Sequence, residues 1–189
     1  MTVNSLKEIR FHGRGGQGVV TAAEIIALAA FYEDAYGQSF PFFGPERRGS
    51  PVISYVRIDE NRIRLRMGIY APDCVLVLDP QLPRLVNVTD GLKEGGIVVI
   101  NSRNGQQEGV LTGKTGKLAF VDATGIALEV MGRPVTNTVM LGAFSAATGW
   151  LGIGSIIRGI ERKLPASIAK KNVEAASVAY ESTRVHEVS

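Results

Sequence analysis

The stretch "EIRFHGRGGQGVVTAAEII", Glu8–Ile26, decides the fold. Ile9 and Phe11 alternate with Arg10 and His12, which predicts a strand. Gly13, Gly15, Gly16 and Gly18 follow, and then Val19 to Tyr32, rich in Ala, Leu and Ile, predicts a largely buried helix. Gly13-x-Gly15-x-x-Gly18 has the spacing of a dinucleotide-binding loop, and strand, loop and helix come in the order that gives that spacing meaning. A loop that closes on phosphate must bring backbone N–H groups close to oxygen, and a Cβ would block the approach. The helix behind it adds the positive end of its dipole. The competing reading is a tight turn whose glycines serve packing alone.

A nicotinamide site needs an Asp or Glu at the end of a second strand, about 20 residues past the loop. Here that interval holds Glu33 and Asp34 at a helix end, so the motif is met in spelling and missed in context. A stand-alone NADP-binding Rossmann-type module is the alternative; an arginine in that interval would suit NADP, but Arg47 and Arg48 sit on a loop farther along. Next comes "YGQSFPFFGPERRGSP" (36–51), which reads as a long irregular loop ordered by its aromatics. Phe40, Phe42 and Phe43 suit an interface core or this domain's own core. Gly44-Pro45 and Gly49-Ser50-Pro51 pin a turn around Glu46, Arg47 and Arg48. Adjacent guanidinium groups suit anionic oxygens; a solvated turn with Glu46 paired to an arginine is the competing reading.

Residues 52–66 alternate around the turn residues Asp59–Asn61 and predict a β-hairpin, with Arg62, Arg64 and Arg66 on one face as a basic wall or an interface. "CVLVLD" (74–79), "GIVVIN" (96–101) and "LAFVDA" (118–123) are apolar runs expected of strands covered on both faces. Helical patterns cover roughly 124–131, 138–150, 155–163 and 165–184. The last has Ile168, Val173, Ala176, Ala179 and Tyr180 as its inner face. These elements predict one three-layer α/β/α domain over 1–189, with a mixed sheet, a Rossmann-like glycine loop and a flexible tail from about residue 186.

The apolar fraction of 45% and charged fraction of 21% fit a globular protein. A net charge of +3 is too balanced to suggest nucleic acid. One cysteine, Cys74, excludes a disulfide framework, and an iron–sulfur cluster held by this chain alone would need about four thiolates. His12 and His186 form no metal-ligand spacing, so no metal site is expected, and His12 is read as structural. No basic-then-apolar signal opens the sequence, and the run "VMLGAFSAATGWLGIG" (139–154) is too short and broken to span a membrane, which predicts a cytoplasmic protein.

With the glycine and arginine segments in view, the chain resembles the gamma subunit of pyruvate (2-oxoacid):ferredoxin oxidoreductases. The matching stretches are "EIRFHGRGGQGVVTAAEI", "FPFFGPERRGSPV", "VRID" with "IRLR", "APDCVLVLDP" and "KEGGIVVIN", with "VDATGIALE" and "NTVMLGAF" extending the match to about Phe144. The resemblance implies a subunit with no catalytic residue of its own, joined to alpha, beta and delta chains. The complex would turn 2-oxoacid, coenzyme A and oxidised ferredoxin into acyl-CoA, carbon dioxide and reduced ferredoxin. Thiamine diphosphate, magnesium and 4Fe–4S clusters would lie on the partners. The wording "FPFFGPERRG" looks more like a pyruvate or 2-oxoisovalerate enzyme than a 2-oxoglutarate one. The resemblance also implies that this chain contacts coenzyme A through Gly13, Arg14, Gly15, Gly16, Gln17, Gly18, Thr21, Arg47 and Arg48. Gly15, Gly16, Gln17 and Gly18 would offer backbone N–H, Gln17 a side-chain amide and Thr21 a hydroxyl.

Overall fold

The computed structural model describes residues 5–42, 50–105 and 114–188. Their strands are β1 (Lys7–Arg14), β2 (Tyr36–Phe42), β3 (Pro51–Asp59), β4 (Cys74–Val77), β5 (Gly96–Asn101), β6 (Thr115–Val121) and β7 (Arg184–Glu187). They form one sheet in the order β2-β3-β1-β4-β5-β6-β7. β1, β4, β5 and β6 are parallel, while β2, β3 and β7 pair antiparallel, so the sheet is mixed as predicted.

Strand residues alternate strictly between two cores. Ile9, Phe11, Val56, Ile58, Cys74, Leu76, Val99, Ala119 and Val121 meet the helices. Val75, Val77, Val98, Ile100, Leu118 and Phe120 face the other way, against Leu82, Val88 and Leu92. The helical layer consists of α1 (Val19–Phe31), α2 (Ala123–Ile126, continued by a π-helical turn Ala127–Met131), α3 (Asn137–Thr148), α4 (Ile153–Lys163) and α5 (Ala166–Ser182). On the opposite face the third layer is thin: the turns between β4 and β5, with a 3-10 helix at Leu82–Arg84.

The predicted hairpin is not formed. β3 pairs with β1 on one side and β2 on the other, and residues 60–70 carry no strand. Alternation marked β3 correctly, but its partner lies in the stretch expected to be loop. β2 sits at the sheet edge, where Pro41 needs to donate no ladder bond. The tail also departs from expectation. Arg184–Glu187 pair with β6, His186 stacks on Phe120 with ring centroids 5.3 Å apart, and Val188 N–H donates to the Gly116 carbonyl.

α3 is buried along most of its length. α5 turns inward a stripe of Ala169, Asn172, Ala175, Ala176 and Ala179, while Ile168 and Tyr180, expected inside, are exposed. Small residues win here because the helices approach closely. A Cβ on Gly142 of α3 would collide with the Ala176 carbonyl oxygen of α5.

Candidate functional site

The carboxyl ends of the parallel strands carry the polar residues that build the site. β1 runs into the glycine turn, and Gly18, at φ 74°, is the N-cap of α1. Gly16 adopts φ +93°, a conformation costly for any other residue. A Cβ on Gly13 would strike Val19, and one on Gly18 would strike the Asn137 amide, so both glycines also serve packing. The loop therefore has both properties weighed from the sequence, an approachable backbone and tight packing.

Asp79, one residue beyond Leu78 at the end of the β4 run, organises this turn. Its Oδ2 accepts from Arg14 Nε at 2.7 Å and from Gln17 Nε2 at 3.1 Å, and its Oδ1 accepts from Gln81 N–H. Gln17 Oε1 accepts from the Arg14 N–H at 2.7 Å. Two of the four expected backbone donors are also engaged: Gly15 N–H donates to the Ser50 carbonyl and Gln17 N–H to the Arg14 carbonyl. The N–H groups of Gly16 and Gly18 have no partner among the described residues. The Gln17 amide, expected to face a ligand, also bonds within the turn, and Arg14 balances Asp79. Thr21 lies half-buried in the first turn of α1.

Asp79 is the residue the sequence reading passed over. The signal was present, an apolar strand ending in a polar side chain, repeated by Asn101 at the end of β5 and Asp122 beyond β6. Asn101 Nδ2 donates to the Leu78 carbonyl and to Thr124 Oγ1, and Asp122 caps α2 by accepting from Gly125 N–H at 2.8 Å. These bonds fix the strand ends around the glycine turn.

Arg47 and Arg48 lie outside the described residues, as does Phe43. The flank of that segment is placed: Ser50 is bonded to Gly15, and Pro51 stands opposite Arg14 in the β1–β3 ladder. Arg62, Arg64 and Arg66 are exposed. Phe40 is half-buried against Tyr55, at 5.2 Å between centroids, and Phe42 is 54% exposed.

His12 is structural. It lies 5% exposed, accepts from Arg10 Nε at 3.0 Å, and has its pKa lowered to about 3, first by burial and then by the Arg10 charge. Burial raises the Cys74 thiol well above its ordinary value, which removes it as a thiolate ligand or nucleophile. Glu33, the nearest acid to a nicotinamide fingerprint, instead accepts from Gly152 N–H at 2.9 Å and Ser155 Oγ at 2.8 Å, fixing the start of α4. The strand after α1 is an antiparallel edge strand rather than a parallel neighbour of β1. The sequence motif therefore lacks the ribose-binding half of a nicotinamide site.

A mixed-sheet α/β fold with a glycine turn at a helix start defines a class of protein and not one enzyme. The chain belongs to the pyruvate ferredoxin/flavodoxin oxidoreductase family, whose model matches residues 8–182. It is 53% identical over 183 residues to the pyruvate/ketoisovalerate oxidoreductases common subunit gamma of Thermococcus kodakarensis, with 96% of this chain and 99% of that one covered. It is 53% identical over 177 residues to the pyruvate synthase subunit PorC of Methanothermobacter marburgensis, covering 94% and 97%. The crystal structure of pyruvate oxidoreductase subunit PORC from Thermotoga maritima superposes with a TM-score of 0.83 at 34% identity, covering 97% of this chain and all of that one. The chain is accordingly a gamma-type subunit of a 2-oxoacid oxidoreductase complex, and no helix among the described residues is long and apolar enough to cross a membrane.

Proposed function

We propose that this chain, folded as one domain over residues 1–189, helps bind coenzyme A and assemble the complex without itself carrying the redox chemistry. The reaction is the conversion of a 2-oxoacid, of the pyruvate type, with coenzyme A and oxidised ferredoxin to acyl-CoA, carbon dioxide and reduced ferredoxin. The partners are alpha, beta and delta chains in the cytoplasm. The observation that carries the reading is the pair of N–H groups, Gly16 and Gly18, unengaged among the described residues at the start of α1. Their neighbour Gly15 donates to the carbonyl of Ser50, which Arg47 and Arg48 precede in the chain by three and two residues. A helix start plus two guanidinium groups suits a pyrophosphate. Thr21, in the first turn of α1, and Arg14, about one-third exposed, complete the set.

The donor set argues that the redox groups lie elsewhere. The sole cysteine is buried with its thiol pKa raised, and among the described residues no group of His, Cys, Asp and Glu side chains could hold a metal ion. Thiamine diphosphate with its magnesium supplies decarboxylation and the clusters supply electron transfer, all on partner chains. This chain's part is to bind and orient the thiol substrate. Assembly draws on the aromatic cluster at β2, where Phe42 (54% exposed) and Tyr70 (76% exposed) flank Tyr55. Exposed rings of this kind are typical of interface cores.

The test is the coenzyme A dependence of steady-state turnover by intact complexes carrying Arg47→Ala or Arg48→Ala. A charge-assisted hydrogen bond contributes roughly 1.5–3 kcal/mol, so the KM for coenzyme A rises about 10- to 100-fold at 1.4 kcal/mol per tenfold. The KM for 2-oxoacid stays constant, because decarboxylation precedes acyl transfer. A raised 2-oxoacid KM with unchanged coenzyme A dependence would defeat the assignment.

A further inference from the structure

Residues 62–66, Arg-Ile-Arg-Leu-Arg, keep the alternation of a strand without a ladder. The run contains no helix, turn or bend, and none of its residues has a positive φ. It therefore lies as a straight, extended stretch between β3 and β4. Among the described residues, none of its N–H groups donates and none of its carbonyls accepts. Backbone groups in this state turn to water or to another chain.

Both ends of the run are held. Before it, Asn61 N–H donates to Asp59 Oδ1 at 2.8 Å. After it, the Gly68 carbonyl accepts from the buried Arg57, and Ile69 is buried. A segment fixed in this way loses less freedom when it binds. Arg62, Arg64 and Arg66 are exposed, and none forms an ion pair with a described residue. Between them Ile63 is half-buried and Leu65 exposed, and Met67 follows, also exposed. The run leads into the aromatic surface proposed above for assembly, because Gly68 lies against the rings of Tyr55 and Tyr70.

We propose that residues 62–66 pair as a strand with an extended acidic segment of a partner subunit, an inference that rests on the assembly role above. The backbone ladder supplies the attachment, and the side chains supply the choice of partner. Cross-strand neighbours share a face, so the partner segment carries Asp or Glu at alternate positions opposite Arg62, Arg64 and Arg66. Its intervening residues are apolar and meet Ile63 and Leu65. A second copy of this chain does not fit. It would set arginine against arginine, or arginine against Ile63 and Leu65, and neutralise none of the three charges. A small anion would answer the guanidinium groups but leave the backbone unpaired.

The test is hydrogen–deuterium exchange at residues 62–66, measured in the intact complex and in the full chain without its partners. The amides should exchange fast in the chain alone and at least about tenfold more slowly in the complex, as a closed ladder requires. Complexes are then assembled with Arg62→Glu/Arg64→Glu/Arg66→Glu, which sets acid against acid. Association with the larger subunits should weaken on the order of 100-fold. The neutral triple variant, Arg to Gln at the same positions, should lose less, because it keeps the ladder without the repulsion. Both variants change exposed side chains and should leave the urea midpoint of the chain near wild type. Rising salt should weaken wild-type association more than that of the neutral variant. Slow exchange already in the chain alone would mean that the run is paired within its own fold, and would overturn the proposal. Equal fast exchange in both states, or undiminished association of the reversed variant, would overturn it as well. Each of these leaves the aromatic surface standing as the assembly site. If the wild-type chain does not associate with the larger subunits at all, the assembly reading falls, and this proposal with it.

Discussion

The two faces of the sheet are finished in different ways. The helical face is dry and small-grained: Ala22, Ala23, Ala29, Ala143, Ala176 and Ala179 are buried there, and Gly142 and Gly159 let backbones approach. The opposite face begins apolar beneath the β4–β5 turns and becomes polar toward β3. Arg57 is 1% exposed, donates from Nε to Glu8 Oε1 at 2.9 Å, and stands 5.4 Å over the Phe40 ring, while its buried Nη1 has no partner among the described residues. Arg10 reaches the Val88 and Asp90 carbonyls and pins the thin layer to the sheet. Beyond it Phe42 and Tyr70 stand in solvent. The helical face is closed by packing of neutral groups, whereas the other face is held by charges and ends in uncovered rings. A sheet face closed by volume tolerates no added atoms; one closed by charge tolerates no missing partner.

That contrast is open to attack in order of effect. Gly142→Leu drives a side chain into the Ala176 carbonyl and forces α3 from α5. Its cost should exceed about 4 kcal/mol, at the upper end for an overpacked core. A small shift of the urea midpoint would show that the helical face yields. On the other face, Glu8→Ala strands the buried Arg57 guanidinium. Removing one partner of a buried pair costs roughly 3–5 kcal/mol, and the partial exposure of Glu8 and its second cation, Lys93 at 3.7 Å, place this case near the lower limit. Glu8→Gln, which keeps an acceptor, should cost less; equal losses would make the charge irrelevant.

The third test is pH. His12 titrates near 3 in the fold against 6.5 as a free side chain, so the fold holds it neutral. Its contribution to stability is complete above about pH 6.5 and is lost as pH falls toward 3, because the unfolded chain takes up the proton first. At about 1.4 kcal/mol per pH unit, roughly 2 kcal/mol disappears between pH 6.5 and 5. The urea midpoint of His12→Gln should fall less steeply over that range than that of the wild type, and parallel slopes would remove His12 from the account. The smallest effect on stability belongs to the exposed rings. Phe42→Ser and Tyr70→Ser should each stay within about 0.5 kcal/mol, yet weaken co-purification with the larger subunits. Destabilisation by several kcal/mol with undiminished association would return the rings to this domain's own core.

The local order of elements was legible because it depends on neighbours in sequence. The first strand, the glycine turn, the buried helix behind it and the three apolar strands all announced themselves by periodicity, and the structure places each within a few residues of expectation. The family, too, could be read from "GRGGQGVV" and "FPFFGPERRG" in order. Pairing was a different matter. Residues 63–66 alternate as well as β2 does, yet β3 pairs with β2, because Gly37 lets that strand pass against the Ala27 backbone of α1 and close the sheet edge. No local pattern encodes that close approach. Likewise Gln17 and Arg14 read as ligand groups, and no local pattern shows that Asp79, 62 and 65 residues away, bonds both. Sequence by itself fixed what each segment prefers, since propensity and alternation act over a few residues. Which donors stay unspent among the described residues was decided only when distant strand ends met and satisfied one another.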